Sequence, residues 1–219
     1  MSRRGALRRL AAHEGRWQRS LLWWVARRRI GVAPGERALG YAAAQAAFVY
    51  GLAFVCVVET VGLSVLLAGA PVVHGVLLVL DVYTVLMVLG FQAAAVTRPH
   101  VLGAGDLRLR DGARQELRIP LGRITSVRHD LRFSREGARA GGAAAGVAEF
   151  AVGGQTSVTV ELSEPVVLEG LLGRRTAVGT VRFHADDARA AVRALREAVA
   201  ADGSPGDAAG AGGAAVTRP

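Results

Sequence analysis

Two carboxylates, Glu59 and Asp81, stand inside long apolar runs, where an ionisable group is costly and points to function. From Tyr41 to Ala68 the only formal charge is Glu59, and from Val72 to Val96 it is Asp81. Gly69, Ala70 and Pro71 separate the runs, and each acid is 11 residues from Ala70. At a helical rise this is roughly 16 Å, so the spacing predicts matching depth. Two carboxyl groups at one depth do not both ionise cheaply, so at least one is expected to be protonated. His74, Asp81 and Gln92 share one helical face by spacing, and Tyr41, Gln45, Cys56 and Glu59 form a similar stripe on the first run. Facing stripes predict an intramembrane polar pair, Glu59 with Asp81, and His74, Gln92 and Gln45 beside it. Such a pair can act as hydrogen-bonded glue between helices or as a partner-binding site within the bilayer. It can also line a proton or cation path, which needs several copies because two helices enclose no pore.

These residues need elements to hold them. Each run exceeds the roughly 20 apolar residues that span a hydrocarbon core. The expectation is transmembrane helix 1 over 41–68 and transmembrane helix 2 over 72–96, antiparallel across a tight turn. A signal peptide has an apolar core of roughly 7–15 residues, so the first run is expected to be retained. Arg27, Arg28, Arg29 and Arg37 flank one end of the hairpin, Arg98, Arg108 and Arg110 flank the other, and the turn carries no Arg. Arginine placement then sets both termini in the cytoplasm of a multi-pass protein of the cell (inner or plasma) membrane.

The chain has 219 residues and a formal charge of +9, and all 27 basic residues are Arg. Richness in Ala, Gly, Val and Arg without Lys suggests GC-rich coding and hence a bacterium. Ten arginines against Glu14 and Glu36 leave +8 in residues 1–40, a basic N-terminal arm. Trp17, Leu21 and Trp24 line one helical face within it. Trp17, Trp23 and Trp24 with Arg27, Arg28 and Arg29 suit a helix lying among anionic headgroups. Trp beside a span fits a lipid interface better than nucleic acid, which is not expected as a partner. Gly31, Pro34 and Gly35 break the arm before the first span. The single cysteine, Cys56, excludes an internal disulfide and a Cys-rich zinc site.

From residue 104, within a domain expected over 97–200, the pattern changes to period-two alternation, which predicts strands. Leu107 and Leu109 alternate with Arg108 and Arg110; Leu117 and Ile119 alternate with Glu116 and Arg118. A three-residue loop, Asp111 to Ala113, keeps the leucines on one face and sets Arg108 opposite Glu116. A third strand over 124–133 is expected to carry Val127, His129, Leu131 and Phe133 on one face. A Gly/Ala-rich loop over 137–146 follows, then strands at about 147–152, 155–162, 165–169 and 178–184. Residues 186–200 form an amphipathic helix, with Asp186 and Asp187 suited to its N-terminus. The tail, 201–219, is too poor in apolar bulk to fold.

Three segments carry a resemblance: Leu107-Arg108-Leu109-Arg110-Asp111-Gly112, then Ile119-Pro120-Leu121-Gly122-Arg123-Ile124-Thr125-Ser126-Val127, then Val181-Arg182-Phe183-His184-Ala185-Asp186-Asp187. In these the chain resembles small bacterial (actinobacterial-type) integral membrane proteins that join a transmembrane hairpin to a bacterial PH-like domain. The resemblance covers roughly 97–200. It implies an α+β membrane protein whose hairpin carries a seven-stranded PH-like β-barrel or sandwich capped by a C-terminal helix. It also implies an interaction or scaffolding role without catalysis or cofactor. The first loop is short, which argues against inositol-phosphate binding there. Arg108, Arg110, Arg174 and Arg175 offer a basic surface for anionic headgroups.

No Walker A run, Gly-x-Ser-x-Gly elbow, His-Glu-x-x-His helix or Cys/His cluster occurs. The five histidines are scattered, and His129 and His184 are expected to be structural. A non-enzymatic membrane protein displaying its cytoplasmic domain to a protein or lipid partner, or associating with itself, is the expectation. The alternative is an accessory subunit of a transport or ion-coupled complex using Glu59 and Asp81. A reporter fused at the C-terminus should be active only in the cytoplasm; labelling of that end from outside would sink the topology.

Overall fold

The computed structural model describes residues 15, 18–112, 115–133, 142–144, 146–169 and 175–203. Trp17, Arg174, most of the 137–146 loop and nearly all of the tail lie outside the described residues. The described part is a mixed α+β structure with two helices long and apolar enough to cross a membrane and two β-sheets.

Helix α1 runs Ala43–Leu66 and α2 runs Pro71–Thr97, antiparallel neighbours. Pro at the first turn of α2 needs no intrahelical N–H partner, so the chain restarts as a helix immediately after the turn. Most of the hairpin touches only itself. Phe48, Phe54, Leu66, Val72 and Val79 point outward and are exposed. Hydroxyls close their own needs inside the helices: Thr60 donates to the Cys56 carbonyl at 2.9 Å, and Ser64 to that of Thr60 at 2.8 Å. Each of these hydroxyls is thereby satisfied within its own helix. The end of α2 differs. Gly90, Gln92, Ala93, Ala94, Ala95 and Thr97 are buried, because there the helix enters the strand domain.

The first sheet is a meander, β1 (Arg37–Leu39), β2 (His100–Leu102), β3 (Asp106–Asp111) and β4 (Gln115–Pro120). A single 3-10 turn, Leu121–Arg123, leads into the second sheet. That sheet contains β5 (Ile124–Phe133), β6 (Gly142–Ala144), β7 (Val147–Phe150), β8 (Gln155–Glu169) and β9 (Arg175–Phe183), ordered β5-β8-β9-β7-β6. Helix α3 (Ala188–Asp202) packs against β5, the 3-10 turn and β8. One core fills the space between, with Leu107, Ile119, Val158, Val181, Phe183 and Leu195 all fully buried.

Several expectations are corrected. The described strands number nine, the two sheets do not close into a seven-stranded barrel, and β7 pairs with β9 in parallel. Strands β1 and β2 were not anticipated, since three residues are too few to show an alternation. The segments expected at 155–162 and 165–169 are one strand, bent by a register shift between Glu161 and Val166. The first hairpin loop starts one residue later than expected, so Arg110 faces Glu116 and Arg108 faces Arg118. A two-residue slip keeps every leucine on its face, so alternation alone could not detect it. On β5 the four residues expected on one face do not share it, and only Val127 of them is buried. A register shift between His129 and Arg132 carries the strand past the core, and His129, Leu131 and Phe133 are exposed.

Leu195 joins α3 to the core with no exposed surface. Leu195→Ala should cost about 2–5 kcal/mol of domain stability. Denaturant unfolding of the full chain in detergent checks this, and a loss below ~1 kcal/mol would mean the helix is not seated as described.

Candidate functional site

The polar residues cluster at the base of the hairpin, where four segments meet: residues 40–43, the end of α2, β2 with the end of β3, and residues 184–186. His100, the first residue of β2, is completely buried. The Arg110 backbone N–H donates to its Nδ1 at 3.0 Å, so the ring proton is on Nε2, which donates to the His184 carbonyl at 3.2 Å. Burial without a carboxylate partner holds His100 neutral and pushes its pKa down to about 3. Its ring stacks on Tyr41 at 4.4 Å and meets the edge of Phe183 at 5.3 Å. The Tyr41 hydroxyl accepts the Gly112 N–H at 2.8 Å, and burial pushes its pKa well up.

The same base fixes the start of α1. Ala42 has no side chain to cap the helix. Asp186 supplies the missing acceptor: the Ala43 N–H donates to its Oδ1 at 3.0 Å, and its own N–H donates to the Gly40 carbonyl at 2.8 Å. Asp187 caps α3 instead, accepting from Ala190 N–H at 2.9 Å. The two acids expected at one helix thus serve two. Gln92 donates to the Ala42 carbonyl at 3.3 Å and accepts from Gln45 at 3.2 Å. The turn Gly153–Gly154, both residues in the left-handed region, links Val152 to Gln155. A Cβ at Gly153 would press on the Ala44 carbonyl at 3.1 Å, so glycine allows this turn to sit against α1. Val152 is buried there with Tyr41, Ala42 and Ala95.

The arm is tied to the same region. Ile30 N–H donates to the Thr97 carbonyl at 2.7 Å, and the Arg110 guanidinium donates to the Ile30 carbonyl at 3.0 Å. Gly31, at φ +70, leaves room for that guanidinium. Arg98 donates to buried Ser20 at 3.2 Å. Trp23 lies between Arg19 and Arg28, each about 6.0 Å from its ring centre. Trp24 is half-buried; Arg27 and Arg29 are exposed.

The structure brings Gln45 and Gln92 together, and joins His74 to Ser64 at 3.1 Å. It does not join the two acids. Among the described residues no hydrogen bond links Glu59 to Asp81; Glu59 is on the exposed side of α1 and Asp81 is half-buried. Arg108 is turned inward to Glu36 and Asp106, and Arg110 to Glu116 at 2.9 Å, so neither is free for headgroups. Arg175 sits at the far end of the β8–β9 ribbon, opposite Glu169. No group of three or more His, Cys, Asp or Glu suited to a metal occurs among the described residues. The His100 junction was missed from sequence. Its only signal was a His directly after a span, next to Pro99.

No family model matches the chain, and neither a curated protein nor a solved structure is similar enough to match.

The unfolded chain binds a proton at His100 near pH 6.5, whereas the folded chain does not until about 3. Unfolding therefore takes up protons in that window, and the stability from neutral His100 is lost as pH falls through it. Between pH 7 and 5, wild type should lose stability more steeply than His100→Gln, whose amide can donate and accept at the same places. Each unit in the window costs up to about 1.4 kcal/mol. Equal slopes in parallel unfolding titrations would remove His100 as the sensitive group.

Proposed function

We propose that this chain is a non-enzymatic membrane interaction module, in which a hairpin displays a divergent bacterial PH-like domain at the cytoplasmic surface. The observation that carries the reading is the hydrogen-bonded junction at His100, Tyr41 and Asp186. It holds the strand domain on the hairpin at several points, so the domain faces are offered in a defined pose relative to the membrane. A meander packed on a second sheet, with a C-terminal helix across the opening, supports the PH-like assignment. The long β8–β9 ribbon suits a protein partner. It reaches away from the hairpin and exposes Val167 near its tip, while Val166 and Leu168 stay inward.

One observation favours a second reading, an accessory subunit of a transport or ion-coupled complex. Glu59 is exposed on α1, within the apolar run, with no partner among the described residues. A carboxyl facing lipid is costly and calls for a neighbouring polypeptide.

Photo-crosslinkers at Val167 and at Glu59, in cells expressing the full chain, separate the two. A defined partner captured from Val167, unchanged by Glu59→Gln, is the expected result. Capture only from position 59, lost in Glu59→Gln when the crosslinker is moved to Val58, would transfer the function to the spans.

A further inference from the structure

The end of the strand domain nearest the hairpin is fixed by contacts. Asp186 caps α1, Gly153 lies on Ala44, and Phe133 pairs with Gln155, two residues beyond Gly153. Helix α3 runs antiparallel to β5. Arg196, late in the helix, donates to the Val127 carbonyl at 2.8 Å and 3.0 Å, and Arg189 and Arg193, earlier in it, line a groove with His129. The last residues of β5 and the first turns of α3 therefore lie together at the hairpin base.

Two features there are not used by the junction. Leu131 is 55% and Phe133 74% exposed, one residue apart on the same strand. His129, which pairs with Val158 and so lies on the other face of the sheet from Phe133, lines an open groove of about 450 Å³ with Arg189, Val192, Arg193, Arg196 and Glu197. Most described arginines of the strand domain meet a carboxylate, and Arg196 is held by a carbonyl. Arg189 and Arg193 are the exceptions: among the described residues neither has an ion pair or a hydrogen bond. Two unpaired guanidiniums and an apolar strand tip, both at the hairpin end of the domain, match a surface that is anionic outside and apolar beneath.

We propose that this edge binds an anionic phospholipid of the leaflet through which the hairpin enters. The lipid phosphate occupies the groove between Arg189 and Arg193, with His129 as a further donor, and Leu131 and Phe133 enter the acyl boundary. Glu197, the acid of the groove, is on the side away from the hairpin and confines the anion to the near half. A soluble acidic peptide would satisfy the arginines but not the two apolar side chains. The inference rests on the membrane reading of the hairpin, and the test separates the two.

The full chain, with Trp17, Trp23 and Trp24 replaced by Phe, is placed in nanodiscs of phosphatidylglycerol or phosphatidylcholine carrying brominated acyl chains. Phe133→Trp reports the edge and Phe54→Trp reports α1. Phe133→Trp should be quenched by the bromolipid and shielded from acrylamide in phosphatidylglycerol, less so in phosphatidylcholine. Arg189→Gln with Arg193→Gln should shift the docked population by roughly thirtyfold, about fivefold for each arginine. If Phe133→Trp stays open to acrylamide while Phe54→Trp is quenched, the proposal falls and the span stands. If both stay unquenched, the membrane reading falls with it. Displacement of Phe133→Trp by millimolar glycerol phosphate, equally in both lipids, would overturn the lipid in favour of a soluble anion.

Discussion

The N–H of Ala43 is a backbone donor at the start of a helix long and apolar enough to cross a membrane, and it needs an acceptor that the neighbouring sequence does not provide. Helices normally find one in the residue before them, and losing it costs about 1 kcal/mol. Here that residue is alanine, and the acceptor is Asp186, 143 positions further along the chain. The carboxylate also favours the positive end of the helix dipole. For Asp186 to be there, the end of β9 must lie on the hairpin base. His184, two residues earlier, then presents its carbonyl to His100, and His100 in turn holds the Arg110 N–H. The junction is a chain of such local needs, each met by a different segment.

The cost of this arrangement is carried by histidine. A buried imidazole with both nitrogens committed to neutral partners has no use for a second proton, so the junction tolerates acid poorly. The benefit is geometric. Backbone and side-chain bonds tie the arm, both spans and both sheets to one small region, and the remaining surface is free to vary. The ion pairs of Arg108 and Arg110 belong to the same economy. They fasten the segment around Glu36, and the carbonyl of Ile30, to the first sheet. This is why arginines expected to face lipid are turned inward.

Legibility in the sequence followed the length of each signal. The hairpin was plain because two apolar runs of more than 20 residues, split by a Gly-Ala-Pro turn, read as two long helices, which the structure has. The amphipathic helix α3 was plain for a similar reason, with a stripe repeated over four turns. Strand β5 was located but misread, because alternation reports the face of a strand only while it stays in register with its neighbour, and a bulge ends that at His129. Strands β1 and β2 had no pattern to show. Sequence spacing put Glu59 and Asp81 at one depth, but depth does not fix rotation about a helix axis: Glu59 is exposed on α1, and no hydrogen bond joins it to Asp81 among the described residues. Asp186 was assigned to the nearest helix because a sequence displays neighbours and not distant partners.

The arginines, read together, separate what holds this molecule from what it can meet. An arginine pairs well with a carboxylate in a planar, two-pronged geometry, and a chain without lysine makes every internal cation of this kind. In the strand domain those cations are largely consumed by Glu36, Asp106, Glu116, Asp130, Glu149 and Glu161. Such pairs set register and add little to affinity for anything outside. The residual positive field is then localised: the arm before the first span, and Arg189 and Arg193 on α3. Arg189 and Arg193 lie toward the end of the domain where the hairpin begins. Of the net charge of +9, +8 stands in the sequence before the first long apolar helix, so the arginines that hold the fold are largely matched by acids and the excess lies outside those pairs.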